Sequence, residues 1–311
     1  MNYLEYFQLS QEPFSSAPVT KFFFNGTQHS DAMVRLMFAV HNMRGLAICI
    51  GDIGAGKTTL ARRMLDNLPE SQYEAALLVI IHAGITASWL LKRIALQLGV
   101  ESPAEEKLTL LSQLYQRLVQ IYESGKKAVV LIDEAQMMQS RELMEEFRGL
   151  LNLEVPERKL LSFVFFGLPE LEQNLMLDPP LAQRVAMRCR LNPLTQEGAE
   201  AYIKHRLRMS GSKKMLFSAQ AVELIFKTTY GTPRIINALC DNCLLEAALA
   251  QKPFVDGPLV ELVATSLGLT QQQQPPLPSP RQDPSLAWSS PPVRKVSMAD
   301  IDRFLDTINK V

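Results

Sequence analysis

The 311-residue chain lacks a charge imbalance, because Lys plus Arg total 32 and Asp plus Glu also total 32. No global field therefore draws it toward nucleic acid or an anionic membrane surface, although local basic clusters remain available. It lacks any apolar run near the ~20 residues that a membrane-spanning helix requires. The opening Met1-Asn2-Tyr3-Leu4-Glu5-Tyr6 also lacks the basic start and apolar stretch of a secretory leader. A cytoplasmic location is expected, with peripheral attachment at the inner membrane only through a partner. Cysteine is scarce. The four residues (Cys49, Cys189, Cys240 and Cys243) sit in apolar or helical surroundings, which excludes a disulfide framework and suits a reducing compartment. Cys240 and Cys243 form a CxxC pair, but no second pair or nearby histidine completes a zinc set.

What is present begins with Gly51-Asp52-Ile53-Gly54-Ala55-Gly56-Lys57-Thr58, which fits the phosphate-loop pattern GxxxxGK[ST] at every fixed position. The run Leu46–Ile50 before it reads as a buried strand, and Thr59–Leu68 after it as a helix. Glycines let successive N–H groups turn toward phosphate oxygens, and the helix N-terminus adds partial positive charge. The pattern assigns Lys57 to the β- and γ-phosphates of ATP and the Thr58 hydroxyl to Mg²⁺.

Hydrophobic residues make up 47% of the chain, ample for a core, and the length allows two domains and a tail. Residues 1–28 form a lead-in punctuated by Phe and Pro, which can lie over a nucleotide pocket or simply pack. Ser30–Asn42 reads as a helix. Strands then alternate with helices: strands at Ala75–Ile81, Ala128–Ile132 and Leu160–Phe166, helices at Ala87–Leu98, Leu108–Glu123 and Arg141–Leu151. This predicts an α/β domain over residues 29–194, with a parallel sheet sandwiched by helices. From residue 195 to 268 only helical periodicity remains (Gln196–Ser210, Ser218–Thr229, Pro233–Ala250, Leu259–Leu267), predicting a small all-helical lid. A Gln/Pro-rich disordered linker is expected over 269–293 and an amphipathic helix over 294–311, with Ile301, Phe304, Leu305 and Ile308 on one side.

Hydrolysis needs a second element. The strand Ala128–Ile132 ends in Asp133-Glu134. If it lies beside the loop, Asp133 can hold the magnesium shell and Glu134 can polarise the attacking water. Two arginine sites compete for a further role. Arg184 or Arg188, just before the strand-like Cys189–Leu191, could reach a neighbouring subunit's γ-phosphate, and Arg234 could contact phosphates from the start of a lid helix.

The phosphate loop through Thr59, Leu131-Ile132-Asp133-Glu134-Ala135-Gln136, Leu150–Glu154, Phe166-Gly167-Leu168-Pro169-Glu170-Leu171 and Gly231-Thr232-Pro233-Arg234-Ile235-Ile236-Asn237 resemble the AAA+ ATPase module of the general secretion pathway protein A (ExeA) family. That family includes ATPases of mannose-sensitive haemagglutinin (MSHA) pilus biogenesis and is related to transposition ATPases. The resemblance covers roughly residues 1–267. It implies nucleotide binding by Gly51, Asp52, Ile53, Gly54, Ala55, Gly56, Lys57, Thr58 and Thr59, a Walker B pair Asp133 and Glu134, Arg184 as a candidate arginine finger and Arg234 as the sensor-2 arginine. Many relatives carry Gln where this chain has Leu168, a side chain that cannot hydrogen-bond to phosphate or water, so slow hydrolysis or a sensor elsewhere is expected. Secretion-type members also carry a membrane span and a peptidoglycan-binding domain, whose place the linker and short helix take here.

The function expected is an ATP-hydrolysing AAA+ ATPase that energises assembly of a bacterial envelope secretion or pilus system. ATP and Mg²⁺ would sit at the interfaces of a homo-oligomer, and the C-terminal helix would dock on an assembly partner. Two alternatives stand beside it. One is an ATP-dependent DNA-binding regulator of transposition, to which Lys204, Arg206, Arg208, Lys213 and Lys214 would lend a basic cluster, although a solvated helix face is preferred and a nucleic-acid partner is not favoured. The other is a nucleotide-switch scaffold with negligible turnover.

Overall fold

A computed structural model describes residues 2–15, 20–156 and 158–269 of the chain. The expected linker beyond residue 269 and the expected tail helix lie outside the described residues. Two compact units divide what is described: residues 28–192, and the N-terminal residues to 27 together with those from 193 onward.

In chain order, α1 (Tyr3–Tyr6) belongs to the second unit, and α2 (Thr27–His41) leads into the first. The first unit then alternates β1 (Leu46–Gly51), α3 (Lys57–Asp66), β2 (Tyr73–Val79), α4 (Ala87–Gln97), α5 (Lys107–Glu123), β3 (Lys127–Asp133) and α6 (Arg141–Leu150). A short antiparallel pair, β4 (Glu154–Val155) and β5 (Arg158–Lys159), precedes β6 (Leu161–Gly167), α7 (Glu170–Leu175), α8 (Pro179–Ala182) and β7 (Val185–Leu191). The long strands form one parallel sheet in the order β2-β3-β6-β1-β7. Its central strands are mostly apolar because both faces are covered. Leu46, Ile48, Val130, Ile132, Phe163 and Phe165 face a core shared with α4, α5 and α6. The alternate residues Cys49, Leu131, Val164 and Phe166 are equally buried on the other face. Phe147 of α6 meets the Phe163 and Phe165 rings edge-on at 5.0 and 4.8 Å. That geometry adds to area burial.

Several boundaries differ from the sequence reading. Strand β2 lies two residues earlier than expected, since its apolar run continues past Val79 into a loop. Helix α3 starts at Lys57 rather than Thr59, because Gly56 already turns the chain into it. Strand β7 starts at Val185, well before the expected Cys189. It is an edge strand, where only one face packs and exposed Arg188 and Arg190 alternate with buried Cys189 and Leu191, which hides the strand from a search for apolar runs. The acidic strand β3 is not next to β1, because β6 lies between them.

The second unit packs α9 (Gln196–Met209), α10 (Ala219–Thr229), α11 (Pro233–Leu249) and α12 (Gly257–Ser266) around one core. Side-chain caps start α9 (Thr195), α10 (Ser218) and α12 (Asp256). The lead-in is part of this unit: Leu9 and Phe14 enter its core, and the Tyr3 hydroxyl donates to Asp241 at 2.6 Å. Arg206, counted in the basic cluster, is buried instead. Its guanidinium donates to the Pro13 and Ser15 carbonyls at 2.6 and 2.9 Å and stacks over Phe22. Cys240 and Cys243 are fully buried on α11, where burial pushes both thiols up.

Gly231 joins α10 to α11 at φ +74°, and a Cβ there would stand 2.0 Å from the Leu194 carbonyl oxygen. The same close approach lets the Leu194 N–H donate to the Gly231 carbonyl at 2.8 Å. Gly231→Ala is expected to cost about 1–3 kcal/mol, read as a lowered urea midpoint. A parental midpoint would show that the turn relaxes freely.

Candidate functional site

The phosphate loop follows from how β1 ends. The strand stops at Gly51 on the sheet's C-terminal edge, between β6 and β7, the edge at which open α/β sheets take their ligands. Gly54 and Gly56 take φ of +79° and +98°, a region that L side chains rarely adopt. Gly56 also caps α3 without a side-chain hydrogen bond, whereas Thr86, Glu106 and Ser140 cap α4, α5 and α6 with theirs. The first N–H groups of α3 are thus left for an anion.

Lys57 is 7% exposed, and its ammonium donates to the carbonyls of Gly51 at 2.8 Å and Asp52 at 2.9 Å. Burial lowers its pKa, and the charges of Glu134 and Asp133 oppose that shift. Asp133, 1% exposed at the end of β3, has its pKa raised by burial, while hydrogen bonds from the Thr58 hydroxyl and the Glu134 N–H act the other way. Although β6 separates the two strands, the phosphate-loop threonine lies near enough to the acidic strand end for its hydroxyl to act on the Asp133 carboxyl. A hydroxyl and a carboxylate brought together this way fit a Mg²⁺ that takes one or two protein oxygens, with the rest from phosphate and water. Among the described residues no cluster of three or more His, Cys, Asp or Glu could hold a metal by itself.

Glu134 adopts φ 56° and ψ 36°, a left-handed conformation rare outside glycine, and so redirects the chain at the strand end. Its Oε2 accepts from Gln136 Nε2 at 2.6 Å. Gln136, 6% exposed, in turn accepts the Leu168 N–H at 3.0 Å. Sequence reading gave Gln136 no role, and no spacing rule would have found it, because its partners come from two strand ends. Leu168 joins this network through its backbone.

The arginines are dispersed. Arg184 donates to the Arg148 carbonyl at 3.3 Å and to Asn152. Arg188 lies inside β7, not before a strand as expected, and with Arg190 it flanks Glu172 at 3.6 and 3.4 Å. Arg234 is the exposed second residue of α11, in the helical unit.

A further residue missed in the sequence is His29 of α2, whose Nε2 lies 3.2 Å from the Ala55 carbonyl, with the loop residue Gly56 packed against the ring. Burial lowers its pKa below 6.5.

Comparison with known proteins agrees with this geometry. Residues 40–175 match the model of an AAA domain. General secretion pathway protein A of Aeromonas hydrophila is 34% identical over 248 residues, which cover 79% of this chain and 45% of that protein. The chain thus spans less than half the length of that relative. In fold it is similar to the ORC2 protein of Aeropyrum pernix, described in ADPNP–ADP complexes (TM-score 0.61, 14% identity, 79% of this chain and 71% of that one). It is also similar to the RuvB Holliday junction branch migration motor of Thermotoga maritima (TM-score 0.51, 18% identity, 78% and 70%). The parallel sheet, the phosphate loop and the acidic strand end define an AAA+ P-loop protein. Within that class the chain is an AAA+ ATPase similar to general secretion pathway protein A over the region that the two share.

The imidazoles of buried His29 and of half-buried His41 and His205 all have pKa values lowered by loss of water, helped at His41 by the charge of Lys127 and at His205 by those of Arg206 and Arg208. A base held neutral in the folded state leaves the unfolded chain binding more protons below about pH 6.5, so stability falls as pH drops through that value. The urea midpoint is expected to decline from pH 7.5 to 5.5, and His29→Gln to flatten the decline. An unchanged slope in that variant would remove His29 from the effect.

Proposed function

We propose that the chain binds ATP with Mg²⁺ at the Gly51–Thr59 loop and hydrolyses it to drive assembly in a bacterial envelope secretion or pilus system. The observation that carries the chemical part is the meeting of Lys57, Thr58, Asp133 and Glu134 at one edge of the sheet. The bound nucleotide with its metal supplies a scissile phosphoryl group whose developing charge the ion neutralises. The Lys57 ammonium would exchange loop carbonyls for β- and γ-phosphate oxygens. Thr58 and Asp133 would hold the ion, directly or through its water, and Glu134 would orient and deprotonate the attacking water. Arg234 is proposed as the arginine that senses the phosphates. Arg184 is proposed to act in trans in a homo-oligomer, which requires it to leave Arg148 and Asn152. The envelope role is supported by the likeness to general secretion pathway protein A, and the C-terminal segment is proposed as the docking element for the partner. No helix of the described residues is long and apolar enough to cross a membrane, and peripheral attachment through that partner is proposed.

The burial of Arg206 removes one charge from the basic cluster behind the DNA-binding alternative, and Lys204 is paired with Glu200. Lys57→Ala is expected to weaken MgATP binding about a hundredfold, the worth of two charged hydrogen bonds, measured by calorimetry. Glu134→Gln should bind MgATP like the parent yet turn it over about 10²–10⁴-fold more slowly. Equal phosphate release by this variant and the parent would remove Glu134 from its role.

A further inference from the structure

We propose that Gln136 is a positioning residue for the reaction, fixing the Glu134 carboxylate from the end of β6. The inference rests on the reading of Glu134 as the group that activates water.

Gln136 sits in the 3₁₀ turn Ala135–Met137 that follows Glu134, with its side chain between two strand ends. Its Oε1 accepts the Leu168 N–H at 3.0 Å, and its backbone carbonyl accepts Asn174 Nδ2 at 2.8 Å. Gly167, the last residue of β6, makes room for it, since a Cβ there would stand 3.0 Å from Oε1. With the oxygen claimed by a backbone donor, the network leaves the amide NH₂ facing Glu134, where the 2.6 Å contact forms. This hydrogen bond is charge-assisted, stronger than a neutral one.

A glutamate side chain has three rotatable bonds, and here it projects from a left-handed backbone position. Nothing in that conformation selects the rotamer needed for in-line attack. The Gln136 amide selects it by holding Oε2, which leaves the second carboxylate oxygen to accept a proton from water. It also links the carboxylate to β6, the strand wedged between the phosphate loop and the acidic strand end. The polar contact at this strand end is therefore made without a polar side chain at Leu168.

Gln136→Glu separates positioning from support. It keeps the shape and an acceptor for the Leu168 N–H, but its carboxylate cannot donate to Glu134. The new carboxylate lies against that of Glu134, so the melting temperature should fall by like-charge repulsion and recover when Glu134→Gln is added, while kcat at saturating MgATP falls about ten- to a hundredfold. Gln136→Ala should lose kcat similarly without introducing a charge, and also melt lower. In the double variant Gln136→Glu/Glu134→Gln, turnover should be no slower than in Glu134→Gln alone, because one residue acts through the other. A parental kcat in Gln136→Glu, or additive losses in the double variant, would overturn the proposal while leaving Glu134 in place. Parental turnover by Glu134→Gln would instead overturn the reading of the site on which the proposal stands.

Discussion

Burying the Lys57 ammonium among loop carbonyls, within reach of two carboxylates, sets the terms for the rest of this structure. Removing an ammonium from water costs several kcal/mol unless hydrogen bonds and opposite charge offset it. Here the Gly51 and Asp52 carbonyls supply the hydrogen bonds, and Asp133 and Glu134 supply the charge. The loop must therefore fold back tightly over its own lysine. The glycines at +79° and +98° allow that path, and an α3 without a side-chain cap completes it. Asp133 meets the reciprocal cost through Thr58, so the two halves of the site are coupled before any ligand is considered.

That coupling depends on the sheet. The loop follows β1 and the acids follow β3, and β6 lies between them in register with both: Ile50 beside Gly167, and Ile132 beside Phe165. Strand β6 is buried along its whole length and held by Phe147. Its end consequently forms a fixed platform for Leu168 and Gln136. The core serves the chemistry by fixing the heights at which three strand ends emerge.

The helical unit uses comparable means for a different end. Arg206, a residue whose type suggests solvent or nucleic acid, instead holds down the N-terminal segment by its carbonyls, and Gly231 lets the turn between α10 and α11 touch the backbone at Leu194. Neither role is written in residue type or spacing. A carbonyl acceptor leaves no mark in a sequence, and a close backbone approach reveals itself only as a glycine.

The sequence by itself determined the phosphate loop, the acidic strand end, the α/β alternation and the change to helices after residue 194. These are local patterns: a glycine spacing, apolar runs of strand length, and a shift of period. Only the tertiary structure decided that β6 stands between β1 and β3, that Arg188 lies within an edge strand, that Arg206 is buried, and that Gln136 joins Glu134 to Leu168. Each of these depends on which segments become neighbours, and the packing of helices on both faces of the sheet settles that, not any short stretch of chain.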